Sequence, residues 1–219
     1  MKRLFTPMAV VGAAMFAYAP FMILDAPYEA TMGLVQKIFY FHVPSAMAMF
    51  LVAFISGIGA ATFLFAKKPV ADRVSVAAAE LTVILGLIVL ITGPLWARKA
   101  WGVWWVWDPR LTSSLLLFLI FAAYLLLRKY GGPGSDKLAA GMALFGMGNV
   151  PFIYVSVNVW RTLHPMTSVV PTLPTDMGIP LWFCFAAFTM LFFALMNLRA
   201  TLALQSARVE ALYLAEDEA

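Results

Sequence analysis

Long uninterrupted apolar runs, rather than an alternation of apolar and polar positions, organise this chain. Six of them fall at residues 5–24, 43–66, 75–94, 111–128, 138–158 and 179–199. Each has the length, about 17–25 residues, with which a helix crosses a hydrocarbon core of about 30 Å. The runs are too continuous for barrel strands, whose side chains alternate between lipid and lumen. Backbone polar groups in lipid have to bond within their own segment, so helices are expected. The pattern predicts an all-α, polytopic membrane protein: one domain, residues 1–219, of six transmembrane helices.

Composition agrees with that reading and narrows it. Of 219 residues, 63% are hydrophobic and only 12% are charged, too few to cover the surface of a water-soluble domain of this size. The single cysteine, Cys184, lies in an apolar run and excludes an internal disulfide or a cysteine-based metal site. Met1-Lys2-Arg3, the apolar stretch and Ala17-Tyr18-Ala19 are patterned like a cleavable signal peptide. Pro20 after the cut, and an apolar run continuing to Leu24, favour an uncleaved first span. Glu80 in the third run reads either as a functional intramembrane acid or as a carboxylate at the membrane interface. Gly131-Gly132-Pro133-Gly134-Ser135 is a turn-rich linker, and 205–219 is a polar, acidic-ended, helical tail.

Charge gives the orientation. Lys2, Arg3, Lys67, Lys68, Arg73, Arg128, Lys129, Lys137, Arg199 and Arg208 flank one side of the six runs. Lys37, Arg98, Lys99, Arg110 and Arg161 flank the other. Positive residues concentrate on the cytoplasmic side, so both termini are expected there. The external segments are then 25–42, 95–110 and 159–178. Three of the five external cations, Arg98, Lys99 and Arg110, flank a single loop of about residues 95–110. Arg161 sits close to a histidine, which suggests an anionic ligand outside.

That loop carries Trp101, Gly102, Trp104, Trp105, Trp107, Asp108, Pro109 and Arg110. Tryptophan favours membrane interfaces, and an aromatic belt accounts for one or two of them. Four within seven residues, with an embedded glycine, suggest a platform for a flat apolar ligand such as a porphyrin, with basic side chains meeting its carboxylates. Asp108 and Arg110 are placed for a local ion pair, and Thr112 for the cap or first turn of the fourth helix. The only two histidines, His42 and His164, fall in the segments on either side of this loop. Each reads as a structural histidine or as an axial ligand of haem iron.

At these residues the sequence resembles the WWD family of haem-handling membrane proteins, and within it the CcmC type of the system I cytochrome c maturation pathway. Trp101-Gly102-x-x-Trp105-x-Trp107-Asp108 carries the tryptophan-rich signature. His42 in Phe-His-Val-Pro-Ser-Ala and His164 after the fifth span match its two external histidines. The CcmF and CcsA types are larger, with more spans and histidines. The resemblance implies haem b as transported ligand, held axially by His42 and His164 as the only metal ligands. It implies a haem and chaperone surface at Trp101, Trp105, Trp107 and Asp108, to which the platform read from the loop itself adds Gly102 and Trp104. It also implies the haem chaperone CcmE and the subunits CcmA, CcmB and CcmD as partners, with ATP hydrolysis in CcmA, and a bacterial inner-membrane location with periplasmic functional loops. Arg98, Lys99, Arg110 and Arg161 are the candidate partners for the haem propionates on electrostatic grounds. The expected role is haem presentation without catalysis. The competing readings are a haem lyase acting directly on apocytochrome c, a transmembrane electron carrier, for which histidines inside the spans are lacking, and a solute channel with an aromatic vestibule.

Overall fold

The computed structural model describes residues 2–217. Six helices run in sequence: α1 Lys2–Asp25, α2 Phe39–Ala66, α3 Pro69–Ala100, α4 Pro109–Tyr130, α5 Ser135–Val159 and α6 Thr175–Asp217. Single turns of 3-10 helix at Leu34–Ile38 and Val170–Thr172 complete the regular structure. There is no strand among the described residues. All six helices are long and apolar enough to cross a membrane. The chain is a multi-pass, all-α membrane protein, as the apolar runs predict.

The helices overrun those runs. Helix α3 begins six residues before the expected start at 75 and ends six after 94, and α6 continues to Asp217. Two of the predicted loops contract accordingly. Trp96, Arg98 and Lys99 sit on the last turns of α3, and His42 sits in the first turn of α2. Polar termini explain the difference: Pro69 stands at the first position of α3, Asp72 lies in its first turn, and Arg98 and Lys99 lie in its last, where each complements the helix dipole. The Gly131–Ser135 linker is a tight turn between α4 and α5, as expected. Helix α1 lies along α6 within the bundle. The expected helical tail is a continuation of α6 as far as Asp217, and the readings at Met1 and at 218–219 lie outside the described residues.

Helix α2 is the hub, packing on α3, α5 and α6, with α4 against α3 and α5. Lipid is as apolar as leucine, so such helices associate through close backbone approach and polar contacts. Small residues provide the approach: Ala48, Ala53 and Ala60 of α2 and Ala77, Ala78 and Ala79 of α3 are buried. A Cβ at Gly59 would come within 2.9 Å of the Ala71 carbonyl oxygen. Ser56 and Ser75 each donate to the other's backbone carbonyl at 2.9 Å. Asp72 pairs with Arg128 at 2.7 Å. Glu80 forms a two-pronged ion pair with Arg199, linking α3 to α6.

Candidate functional site

The bundle opens at the end where α1 and α3 finish and α2 and α4 begin. A cavity of about 570 Å³ lies there, inside the range of roughly 300–1,000 Å³ typical of small-molecule sites. Its walls come from α2 (His42, Met47, Phe50), from the end of α3 (Leu90, Gly93, Trp96) and from the tryptophan loop (Trp101, Trp104, Trp105). Arg110 of α4 and the segment following α5 (His164, Met166, Val169) complete it. Both histidines and three of the four loop tryptophans therefore meet at one cavity, although the two histidines lie more than a hundred residues apart in sequence.

His42 is half-buried on the first turn of α2. Its Nδ1 lies 2.9 Å from the Thr92 hydroxyl on α3. A Cβ at Gly93 would sit 3.1 Å from the ring's Cε1, so the imidazole rests directly on a side-chain-free patch of α3. Pro94 follows, lacks an N–H, and leaves the carbonyl four residues earlier without its helical donor.

His164 belongs to an irregular loop, and two contacts hold it there. Its ring Nδ1 lies 2.9 Å from the Pro165 carbonyl oxygen. A carbonyl only accepts, so Nδ1 carries the proton and the neutral ring keeps its Nε2 lone pair free. Its backbone N–H donates to the Thr162 hydroxyl at 3.0 Å, and that hydroxyl donates to Asp108 Oδ2. Burial, reinforced by the Arg110 guanidinium, pushes His164 down to about 4. It is neutral at physiological pH and available as a ligand.

Asp108 is consequently the joint between the tryptophan loop and the histidine loop. Its Oδ1 accepts from the Leu111 backbone N–H at 2.7 Å and caps α4, while Oδ2 takes Thr162. The expected Asp108–Arg110 ion pair does not form. Asp108 is engaged by the cap and by Thr162, and Arg110 reaches across to the Ile153 and Tyr154 carbonyls of α5 at 2.9 and 3.4 Å. Thr112 falls in the first turn of α4, its N–H bonded to the Asp108 carbonyl, so Asp108 takes the capping role.

The tryptophan loop has two faces. Trp101 stacks edge-on against Trp96 with ring centres 5.2 Å apart, and Trp105 against Trp107 at 5.8 Å. Trp105 lines the cavity, and its indole N–H is buried without a hydrogen-bond partner among the described residues. Trp107 points outward and is 77% exposed. Gly102 turns the chain with φ +78°, a conformation natural to glycine, and its carbonyl accepts from Arg98. Of the four basic residues proposed from charge, only Arg110 reaches the cavity wall. Arg98, Lys99 and Arg161 are exposed and stand outside it: the first two ride the last turn of α3, where Arg98 is engaged by the Gly102 carbonyl.

Sequence reasoning passed over Thr92 and Gly93, and also Glu29 and Gln36, which line the rim of the cavity. The Glu29 carboxylate accepts from the Thr31 hydroxyl at 2.6 Å and from the Thr31 and Met32 N–H groups at 2.8 and 2.7 Å. Those bonds, the hydroxyl's first, hold its pKa below the usual carboxylate value. Among the described residues, no three His, Cys, Asp or Glu side chains converge where a bare metal ion would sit.

Comparison with known proteins gives a consistent picture. A family profile for CcmC, described as Heme exporter protein C, matches residues 1–215. Over 176 residues the chain is 37% identical to Heme exporter protein C of Bradyrhizobium diazoefficiens, covering 78% of this chain and 67% of that protein. It is 32% identical over 200 residues to Heme exporter protein C of Paracoccus denitrificans, covering 88% and 83%. It is 35% identical over 166 residues to a putative cytochrome c biosynthesis ccmC-like mitochondrial protein of Marchantia polymorpha, covering 74% and 71%.

Proposed function

The chain belongs to the CcmC family, heme exporter protein C, and from that premise we propose that it binds haem in the cavity between His42 and His164 and presents it to a haem chaperone. A role in haem handling for cytochrome c biogenesis comes with the membership. The residues fit the cargo. A porphyrin brings four nitrogens to its iron, so the protein has only to supply axial ligands, and neutral imidazoles are common ones. The observation that carries the reading is the meeting of the only two histidines of the chain at one aromatic-walled cavity.

The chain's residues divide the work. His42 and His164 are the axial ligands. Trp101, Trp104 and Trp105 offer flat apolar contact. The unpartnered Trp105 N–H and Arg110 are the donors for an anionic propionate edge. Trp107, exposed and beside Trp105, faces outward as part of the docking surface for the chaperone CcmE. The chain acts as a haem-b-presenting component without catalysis of its own. CcmA, CcmB and CcmD are its partners, and ATP hydrolysis belongs to CcmA. The site end of the bundle faces the periplasm, from the inner membrane.

The test is the visible spectrum of the protein purified in detergent with its partners, as wild type, His42→Ala and His164→Ala. Haem should co-purify with the wild type, and each substitution should reduce or alter its Soret band. Absence of haem, or two variants with unchanged spectra, would overturn the assignment. Covalent attachment of haem to apocytochrome c by this chain alone would instead make it a lyase.

A further inference from the structure

Among the described residues His42 makes one side-chain hydrogen bond, and that bond has a direction. Thr92 Oγ1 lies 2.7 Å from the Ile88 carbonyl oxygen, one turn earlier in α3, and 2.9 Å from His42 Nδ1. A hydroxyl has a single proton. The Ile88 carbonyl has none to give, so the Thr92 proton goes to it. The contact with His42 is then a hydrogen bond only if Nδ1 carries a proton and donates it. A neutral imidazole with its proton on Nδ1 has its lone pair on Nε2. Gly93, the next residue, supplies the clearance that lets the ring lie against α3, since even a methyl group there would stand 3.1 Å from Cε1.

We propose that Thr92 is a positioning residue: by accepting from His42 Nδ1 it fixes the imidazole in the tautomer that presents Nε2 to the cavity, and Gly93 holds open the space the ring needs. The function rests on the haem reading above, but the tautomer is a property of the empty protein. The consequence is a division between the two histidines. A backbone carbonyl orients His164, and a side chain one substitution can remove orients His42. Partners of this kind, standing behind a metal-bound histidine, set ring orientation and ligand basicity.

Two measurements test this. The chain has two histidines, so nitrogen-15 histidine labelling of the haem-free protein in detergent, with His164→Gln to leave one signal, reports the protonation of each His42 nitrogen. Nδ1 protonated and Nε2 bare is the expected result. Nε2 protonated, or two nitrogens averaged by exchange, overturns the proposal. Haem titration then compares wild type, Thr92→Val and Thr92→Ser. Thr92→Val, which keeps the shape and loses the acceptor, should weaken haem binding by about 10–100-fold and shift the Soret band, whereas Thr92→Ser should restore both. Wild-type affinity and spectrum in Thr92→Val would overturn it. Should Thr92→Val fail to fold, the labelling result decides alone. Wild-type haem binding by His42→Ala would remove the haem reading while leaving the tautomer assignment to its own test.

Discussion

A residue with two tasks is where a single substitution says most. Asp108 caps α4 with one oxygen and restrains the His164 loop through Thr162 with the other. Asp108→Ala should cost about 0.5–2 kcal/mol from the lost cap alone. It should also free the histidine loop, making Arg161 a fast site for trypsin and weakening haem binding. Asp108→Asn, which keeps a capping oxygen, should retain most of the stability. If Arg161 is cut no faster in Asp108→Ala than in the wild type, the restraint is not real. His164 adds a pH dependence. Its ordinary value is 6.5 and its folded value about 4, so a displaced His164 takes up a proton that the seated one refuses. The seated state is fully favoured above about pH 6.5 and loses ground as pH falls towards 4. Haem affinity should drop over that interval, and His164→Ala should abolish the drop. The histidines and tryptophans were legible in the sequence because such residues are conspicuous against an apolar background. Thr92 was not: a threonine in a transmembrane run that bonds its own helix is commonplace, and only the packing of α2 on α3 gives it a second partner.

Among the elements, the α2–α3 pair sets the geometry of the site, because His42 stands on one helix and its support on the other. That pair depends on close approach. Gly59→Ala puts a methyl group 2.9 Å from a backbone oxygen of α3, and a backbone cannot swing aside as a side chain can. The expected cost is about 1–3 kcal/mol, read as a lower melting temperature in detergent. Gly148→Ala on α5, where a Cβ meets nothing within 4 Å, should instead be neutral or stabilising by up to about 1 kcal/mol from helix propensity. Equal effects of the two would refute the close-packing account. Helix number and order were legible because crossing a bilayer demands a length of apolar sequence that little else does. Helix ends were not, since α3 and α6 continue on polar residues once past that requirement. The longer α3 also carries Arg98 and Lys99, expected in the external segment 95–110, on its last turn.

For the whole molecule, the arrangement of helices puts the cavity and the three connections that build it at one end, with both chain termini at the other. On the proposed reading, the excess of Lys and Arg on that side of the spans makes it the cytoplasmic end. Alkaline phosphatase inserted after Trp104 should therefore be active, and a fluorescent protein fused after Ala219 should fluoresce. The opposite pair of results would invert the protein in the membrane. Helix α6 adds a further constraint. At 43 residues and about 1.5 Å per residue, it is about 64 Å long, roughly twice the hydrocarbon thickness. The helix is longer than a crossing requires, and Leu212, Tyr213 and Leu214 near its end are exposed.

The two histidines are mounted differently, one on a helix packed at the centre of the bundle and one on a loop tethered by a threonine. A clamp with one fixed jaw and one sprung jaw has a defined order of operation. The fixed jaw determines where the load rests, and the sprung jaw determines when it leaves. If haem is held between them as proposed, departure of the cargo would depend on the few bonds that hold the loop at Thr162. A partner that tugged on that loop would trigger delivery without disturbing the rest of the protein.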